Sequence, residues 1–334
     1  MKNSLKQRCD LFVKNKDILQ NNFRWDTVMF HPLCASLYTE EGLEVDVRKI
    51  KLSKEIIKNN TAVFSDFRGS ALLVLATMLS LDESSWSKFQ KVIKAHEVLK
   101  SELQSSDYLP FTAFEMANMV ETFQYERVAR KARDIYVKMK NNHQFQNYRD
   151  DFRFAVMTAI NDLPEAAAID EMEKCYDLLN TRFAPDAAQA LSNILILGEE
   201  AADKKCNRAM RIFDRLKGKN CKYGTGIELA VLGVLAMEGD NIYQAVNDIS
   251  EVNEYLSKSK GFGVFGIGRI ERIMYSAVLV ADEYKKQCYE SPVKKTGVNG
   301  LTSIGISKQA AITAVAAENA VAFDSNGFLK KIIH

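Results

Sequence analysis

Apolar residues recur along this chain with two periods at once. Within a helix-length window they fall at offsets of zero, four, seven and ten, which is one stripe of an α-helix. The whole stripe then returns about every forty residues. Leu99, Met139, Leu179, Leu216 and Leu256 close five such stripes, 40, 40, 37 and 40 residues apart. Four residues earlier stand Ala95, Ile135, Cys175, Ile212 and Val252; seven earlier, Val92, Ala132, Met172, Ala209 and Ile249; ten earlier, Phe89, Ala129, Ile169, Cys206 and Val246. A fixed period near 40 predicts an all-α fold of about six stacked helical hairpins, an α-solenoid of the HEAT or armadillo kind. A closed α/α ring uses the same units and is the alternative. Helix above about 60% and essentially no sheet follow from either.

Each stripe is followed by a turn and a second, more apolar helix: Ala71 to Leu79, Pro110 to Ala117, Phe152 to Ile160, Ala187 to Leu197, Ile227 to Met237 and Arg269 to Val280. Several are apolar on nearly every side, and such helices lie buried between layers. The stripe helices therefore form an outer row and these an inner one. Residues 1–45 read as N-terminal cap helices, the first over residues 4 to 22. Asp26 is read as the cap of the second, which runs to about Thr39 with Pro32 in its first turns. Asp46 opens the third, whose stripe (Val47, Ile50, Ile57) is imperfect, as in a terminal repeat. Residues 46–286 hold the hairpins. Residues 287–308, with Pro292, Gly297, Gly300 and Gly305, read as a linker, and 309–334 as a C-terminal segment built on an alanine-rich helix from Ala310 to Phe323. At about 14 residues, with Glu318 and Asn319 inside, that helix is too short and too polar to span a bilayer.

Composition narrows this picture only a little. A net charge of +2 over 334 residues argues against a dedicated nucleic-acid protein. The six cysteines include no C-x-x-C pair, and two of them, Cys175 and Cys206, occupy core positions of the repeat, as free thiols in a reducing compartment do. With no apolar block in the first 20 residues and no long apolar run elsewhere, the chain reads as cytoplasmic, with no membrane among its partners.

The candidate chemistry lies in the turns. Aspartates recur near the starts of the second helices: Asp66, Asp107, Asp151 and Asp186, with Thr225 in the fifth place. N-capping accounts for them at roughly 1 kcal/mol each. In a ring they would instead converge, with Asp150, on one pocket, and a hydrolase-like enzyme using paired carboxylates becomes the alternative function. The third turn is the longest and carries Asn142, His143, Asp150 and Asp151, a candidate ligand-contacting loop. One histidine is too few for zinc, so no metal and no cofactor is expected. Ser65 and Arg68 lie in the first turn, and the guanidinium of Arg68 is suited to an anion. The run from Lys204 to Lys222 holds eight Lys or Arg against Asp214 alone, the composition of a solvated face or an anion-binding one. Gly261, Gly263 and Gly266 match G-x-G-x-x-G, but a helix precedes them where the nucleotide fingerprint needs a strand. Trp25 is read as an apolar plug beside Asp26, and His31 and His96 as packed helix residues.

Four strings carry a resemblance. They are Phe64-Ser65-Asp66-Phe67-Arg68-Gly69-Ser70, Ser106-Asp107-Tyr108-Leu109, Tyr136-Val137-Lys138-Met139-Lys140-Asn141-Asn142-His143, and Ala190-Leu191-Ser192 leading to Leu197-Gly198. From about Phe23 to Tyr284 the chain resembles a bacterial family of uncharacterised proteins, domain-of-unknown-function family 4003. That resemblance implies no activity, ligand or catalytic residue. A regular solenoid without a nucleophile or metal motif is expected to bind a protein or peptide partner on an extended surface.

Overall fold

A computed structural model describes residues 1–290, apart from 27, 64, 70–71, 104–108, 142–150, 161–163, 199, 238–240 and 264–265; of 151 and 285–290 only the backbone is described. The linker and the alanine-rich C-terminal helix expected from the sequence lie outside these residues. Among the described residues there are fourteen α-helices and no strand: α1 Asn3–Asn22, α2 His31–Glu40, α3 Val47–Asn59, α4 Leu72–Ser80, α5 Ser85–Glu102, α6 Leu109–Met119, α7 Tyr125–Asn141, α8 Asp151–Ile160, α9 Glu165–Asn180, α10 Pro185–Leu195, α11 Ala202–Gly218, α12 Leu229–Met237, α13 Ile242–Ser257 and α14 Arg269–Glu290. The all-α class is as expected. No described helix is long and apolar enough to cross a membrane.

The stripes are the core of the outer helices. Phe89, Val92, Ala95 and Leu99 on α5 are buried, as are Cys206, Ala209, Ile212 and Leu216 on α11 and Val246, Ile249, Val252 and Leu256 on α13. On α9 the pattern slips by one: Ala168 is buried where Ile169 was expected, and Ile169 is half-buried. The second helices are buried nearly all round; α12 hides Leu229 through Ala236 without a break. Burial of each large aliphatic side chain contributes about 1.5–3 kcal/mol, so the periodic pattern alone selects these faces.

The chain divides into two compact units. In residues 14–137 with 149–160, α3 packs on α4 and α5, α5 on α6, α6 on α8, and α2 on α4. In residues 1–13, 138–148 and 161–312, α9, α11 and α13 are successive neighbours in one row and α10, α12 and α14 in another. Here each stripe helix also packs on the second helix that follows it. The first part of α1 belongs to this unit. Its Phe12 ring lies 5.6 Å from Tyr275 and 6.1 Å from Phe262, Arg8 pairs with Glu283 at 3.4 Å, and the Tyr255 hydroxyl donates to Asp10.

Helix starts are set in two ways. Asp46 caps α3 as expected, accepting from the N–H groups of Arg48 at 2.9 Å and Lys49 at 3.0 Å; Ser84 caps α5 and Asn241 caps α13. Three helices in succession begin without a side-chain cap, at Pro164, Ala184 and Ala201. They carry Glu165, Asp186 and Asp203 in the first turn instead, where a negative charge favours the positive end of the helix dipole. Asp186 therefore serves its helix from inside and not as the cap. Asp26 does not cap α2 either: the helix starts at His31, and Asp26 pairs with Lys54 of α3 at 2.6 Å.

Candidate functional site

The turn between α3 and α4 brings together three of the residues singled out in the sequence. Arg68 donates from Nε to the Thr61 hydroxyl at 3.1 Å and from Nη2 to the carbonyls of Lys58 and Thr61. Those carbonyls lie at and beyond the last turn of α3, where intrahelical donors are missing, so the guanidinium closes a helix end. Ser65 accepts from the N–H of Phe67 at 3.4 Å. Asp66 stands six residues ahead of α4, too far to cap it, and its carboxylate lies 4.0 Å from Nε2 of His96. The His96 ring lies 4.9 Å from that of Phe67, tilted by 57°, and burial lowers its pKa although Asp66 pulls the other way. Asp186 is exposed and belongs to the other unit. Asp107, Asn142, His143 and Asp150 lie outside the described residues. Asp151 opens α8, but its side chain is also outside them. Among the described residues no group of three or more His, Cys, Asp or Glu could hold a metal ion.

Several residues do other work than the sequence suggested. Lys205 and Arg208, two of the eight cations between 204 and 222, point inward. Lys205 reaches Glu171 at 3.0 Å and the Gly198 carbonyl at 2.9 Å; Arg208 grips Glu200 through two bonds of 2.7 and 3.0 Å. Both had been read as part of a surface run, because sequence spacing alone does not separate a lysine under the helix from one above it. The glycine run is a tight turn: Gly263 donates to the Ile267 carbonyl and Ile267 to that of Gly261, and α13 precedes it. Trp25 is no plug; its side chain is 95% exposed. All described cysteines are free and buried. Burial pushes the Cys9 and Cys34 thiols up to about 12, which makes them inert filling.

Two features escaped the sequence reading. Glu115 on α6 and Arg153 on α8 form a fully buried bidentate pair, with contacts of 2.7 and 3.2 Å. Each sat in an apolar run, and only the packing of α6 on α8 makes them partners. The second feature is an excess of cations on the outer helices of one unit, which the net value conceals. On α3 stand Arg48, Lys49, Lys51, Lys54 and Lys58 against Glu55; on α5, Lys88, Lys91, Lys94 and Lys100 against Glu97 and Glu102. The part of α7 in the same unit adds Arg127, Arg130, Lys131 and Arg133 against Glu126 and Asp134. In the other unit α9 carries Glu165, Asp170, Glu171, Glu173 and Asp177 against Lys174 and α13 carries Asp248, Glu251 and Glu254, while α11 between them carries Lys204, Lys205, Arg208, Arg211, Arg215 and Lys217 against Asp203 and Asp214. Aligning the stripes would have exposed this, since every one of these charges falls between stripe positions.

Comparison with known proteins yields a family and nothing more. A family model described as "Protein of unknown function (DUF4003)" matches residues 15–311, beyond both ends of the span that carried the resemblance. No curated protein and no solved structure matches the chain.

Proposed function

We propose, for a chain that belongs to the DUF4003 family of proteins of unknown function, that it is a binding protein whose repeats stack as an α-solenoid and offer a cation-rich outer row to an acidic protein or peptide. The observation that carries this reading is the excess of cations on the outer helices of one unit. Exposed lysines and arginines collect on consecutive outer helices of one unit, Lys49, Lys51 and Lys58 on α3 and Lys91, Lys94 and Lys100 on α5 among them. A surface of one sign speeds the encounter with a partner of the other and rejects like-charged ones. The buried ions Glu115 and Arg153, by contrast, are paired within the fold. Nothing among the described residues favours the carboxylate-based hydrolase.

Charge reversal tests the reading. Wild-type protein, a Lys91→Glu/Lys94→Glu variant and an Arg211→Glu/Lys217→Glu variant on α11 are each used to capture partners from native lysate. The expectation is an acidic protein held by the wild type and the α11 variant, released by salt, and lost from the α5 variant. A partner held equally by all three would refute the assignment of this face.

A further inference from the structure

Two turns beside α3 expose apolar side chains. Trp25 is 95% exposed, Val28 58% and Met29 36%, all in the turn between α1 and α2; Val63, just beyond the end of α3, is 70% exposed. The first turn is held against α3. Lys54 pairs with Asp26 at 2.6 Å and lies over the ring of Phe23 at 5.6 Å. Lys51 and Lys58, three residues before and four after Lys54, fall on the same side of the helix and are exposed. The pairing also removes the one acidic charge within the turn. What remains is a turn that exposes an indole and two apolar side chains beside a basic helix, with Val63 exposed just past that helix's end; of its outward cations, Lys58 lies 3.6 Å from Glu55.

We propose that Trp25, Val28, Met29 and Val63, with Lys51 and Lys58, form a peripheral anchor for an anionic lipid surface. The chemistry of each part fits. Tryptophan prefers the boundary between headgroups and acyl chains, aliphatic side chains dissolve in the acyl region, and basic residues near it gain from anionic headgroups. Nucleic acid is disfavoured, because valine and methionine offer no ring face on which bases stack. A folded acidic protein is the competing occupant, which the polyglutamate arm of the experiment tests. The sequence reading set membranes aside for want of a spanning segment; a surface anchor needs none. This inference does not rest on the acidic-partner reading, whose test uses lysines of α5.

The full-length Trp86→Phe variant leaves Trp25 as the sole tryptophan. Its emission should be that of a water-exposed indole in buffer. It should shift to the blue with vesicles of equal parts phosphatidylcholine and phosphatidylglycerol, and the shift should fade at high ionic strength. In the wild-type background, Trp25→Ala with Val63→Ser should weaken sedimentation with these vesicles at least about tenfold. Lys51→Glu with Lys58→Glu should weaken it only on the anionic ones, by about fivefold or more for each cation removed. Unchanged circular dichroism would show that these variants fold. Emission that is already blue in buffer would mean that another part of the chain covers the turn, and would overturn the proposal. So would an equal response to pure phosphatidylcholine, a larger shift with polyglutamate or an oligonucleotide, or no shift with any of them.

Discussion

Glu115 and Arg153 show what a charge costs when it is taken fully out of water. Two buried ions offset much of their desolvation through each other, so removing one leaves the other without its countercharge. Arg153→Met should therefore lower stability by about 3–5 kcal/mol, while Glu115→Leu/Arg153→Met should fall much closer to the wild type. Urea midpoints of both variants decide it: a single substitution as mild as the double one would mean that the ions are not coupled. The buried histidines set a pH dependence. His31 directs Nε2 at the Phe23 carbonyl, 3.2 Å away, and has no hydrogen-bond partner for Nδ1; burial lowers its pKa, as it does for His96. A lowered folded-state value means that the unfolded chain takes up protons first as the pH falls. The contribution is thus complete above the unfolded value near 6.5 and is lost below it, down to the folded value. The thermal midpoint should drop between about pH 7 and about pH 5.5, ahead of the carboxylates. A His31→Gln/His96→Gln variant should show a shallower slope over that interval.

Helix by helix, the legible part of the fold was the part written by burial. The stripes on α5, α11 and α13 came through intact because a periodic apolar face has one place to go. Starts were less legible. An aspartate ahead of a helix spells a cap, yet Asp26 is drawn to Lys54 and Asp186 sits inside its helix, since a proline at 185 suits the first helical position and moves the start forward. Exposure of Trp25 could not be read at all, because composition records that a residue is apolar and not whether anything covers it. Arg68, chosen for its planar fork, spends that fork on the end of α3. Glycines separate the two regimes cleanly. A Cβ at Gly266 would stand 2.1 Å from the carbonyl oxygen of Gly261, whereas one at Gly218 would meet nothing within 4 Å. Gly266→Ala should thus cost more than about 2 kcal/mol, since backbone must move. Gly218→Ala should leave stability unchanged or raise it by about 0.4–1 kcal/mol, and the two thermal melts should bracket the wild type.

Across the whole molecule, the unit that holds α9 to α14 also needs the first part of α1, because Leu5, Cys9 and Phe12 are buried within it. Phe12→Ala should cost about 3–5 kcal/mol and quicken amide hydrogen exchange in α13 and α14 more than in α3 to α5; equal quickening everywhere would contradict that assignment. The pairing of Arg8 with Glu283 spans 275 residues. On a ribosome adding about 5–20 residues per second, the greasy side of that first helix waits about 14–55 seconds before its partner has been made. For that interval it is a sticky amphipathic segment on an unfinished chain, the kind of surface that chaperones seize. Synthesis of this protein should accordingly be more sensitive to chaperone depletion than its finished stability would suggest, and truncated chains that stop short of α14 should aggregate.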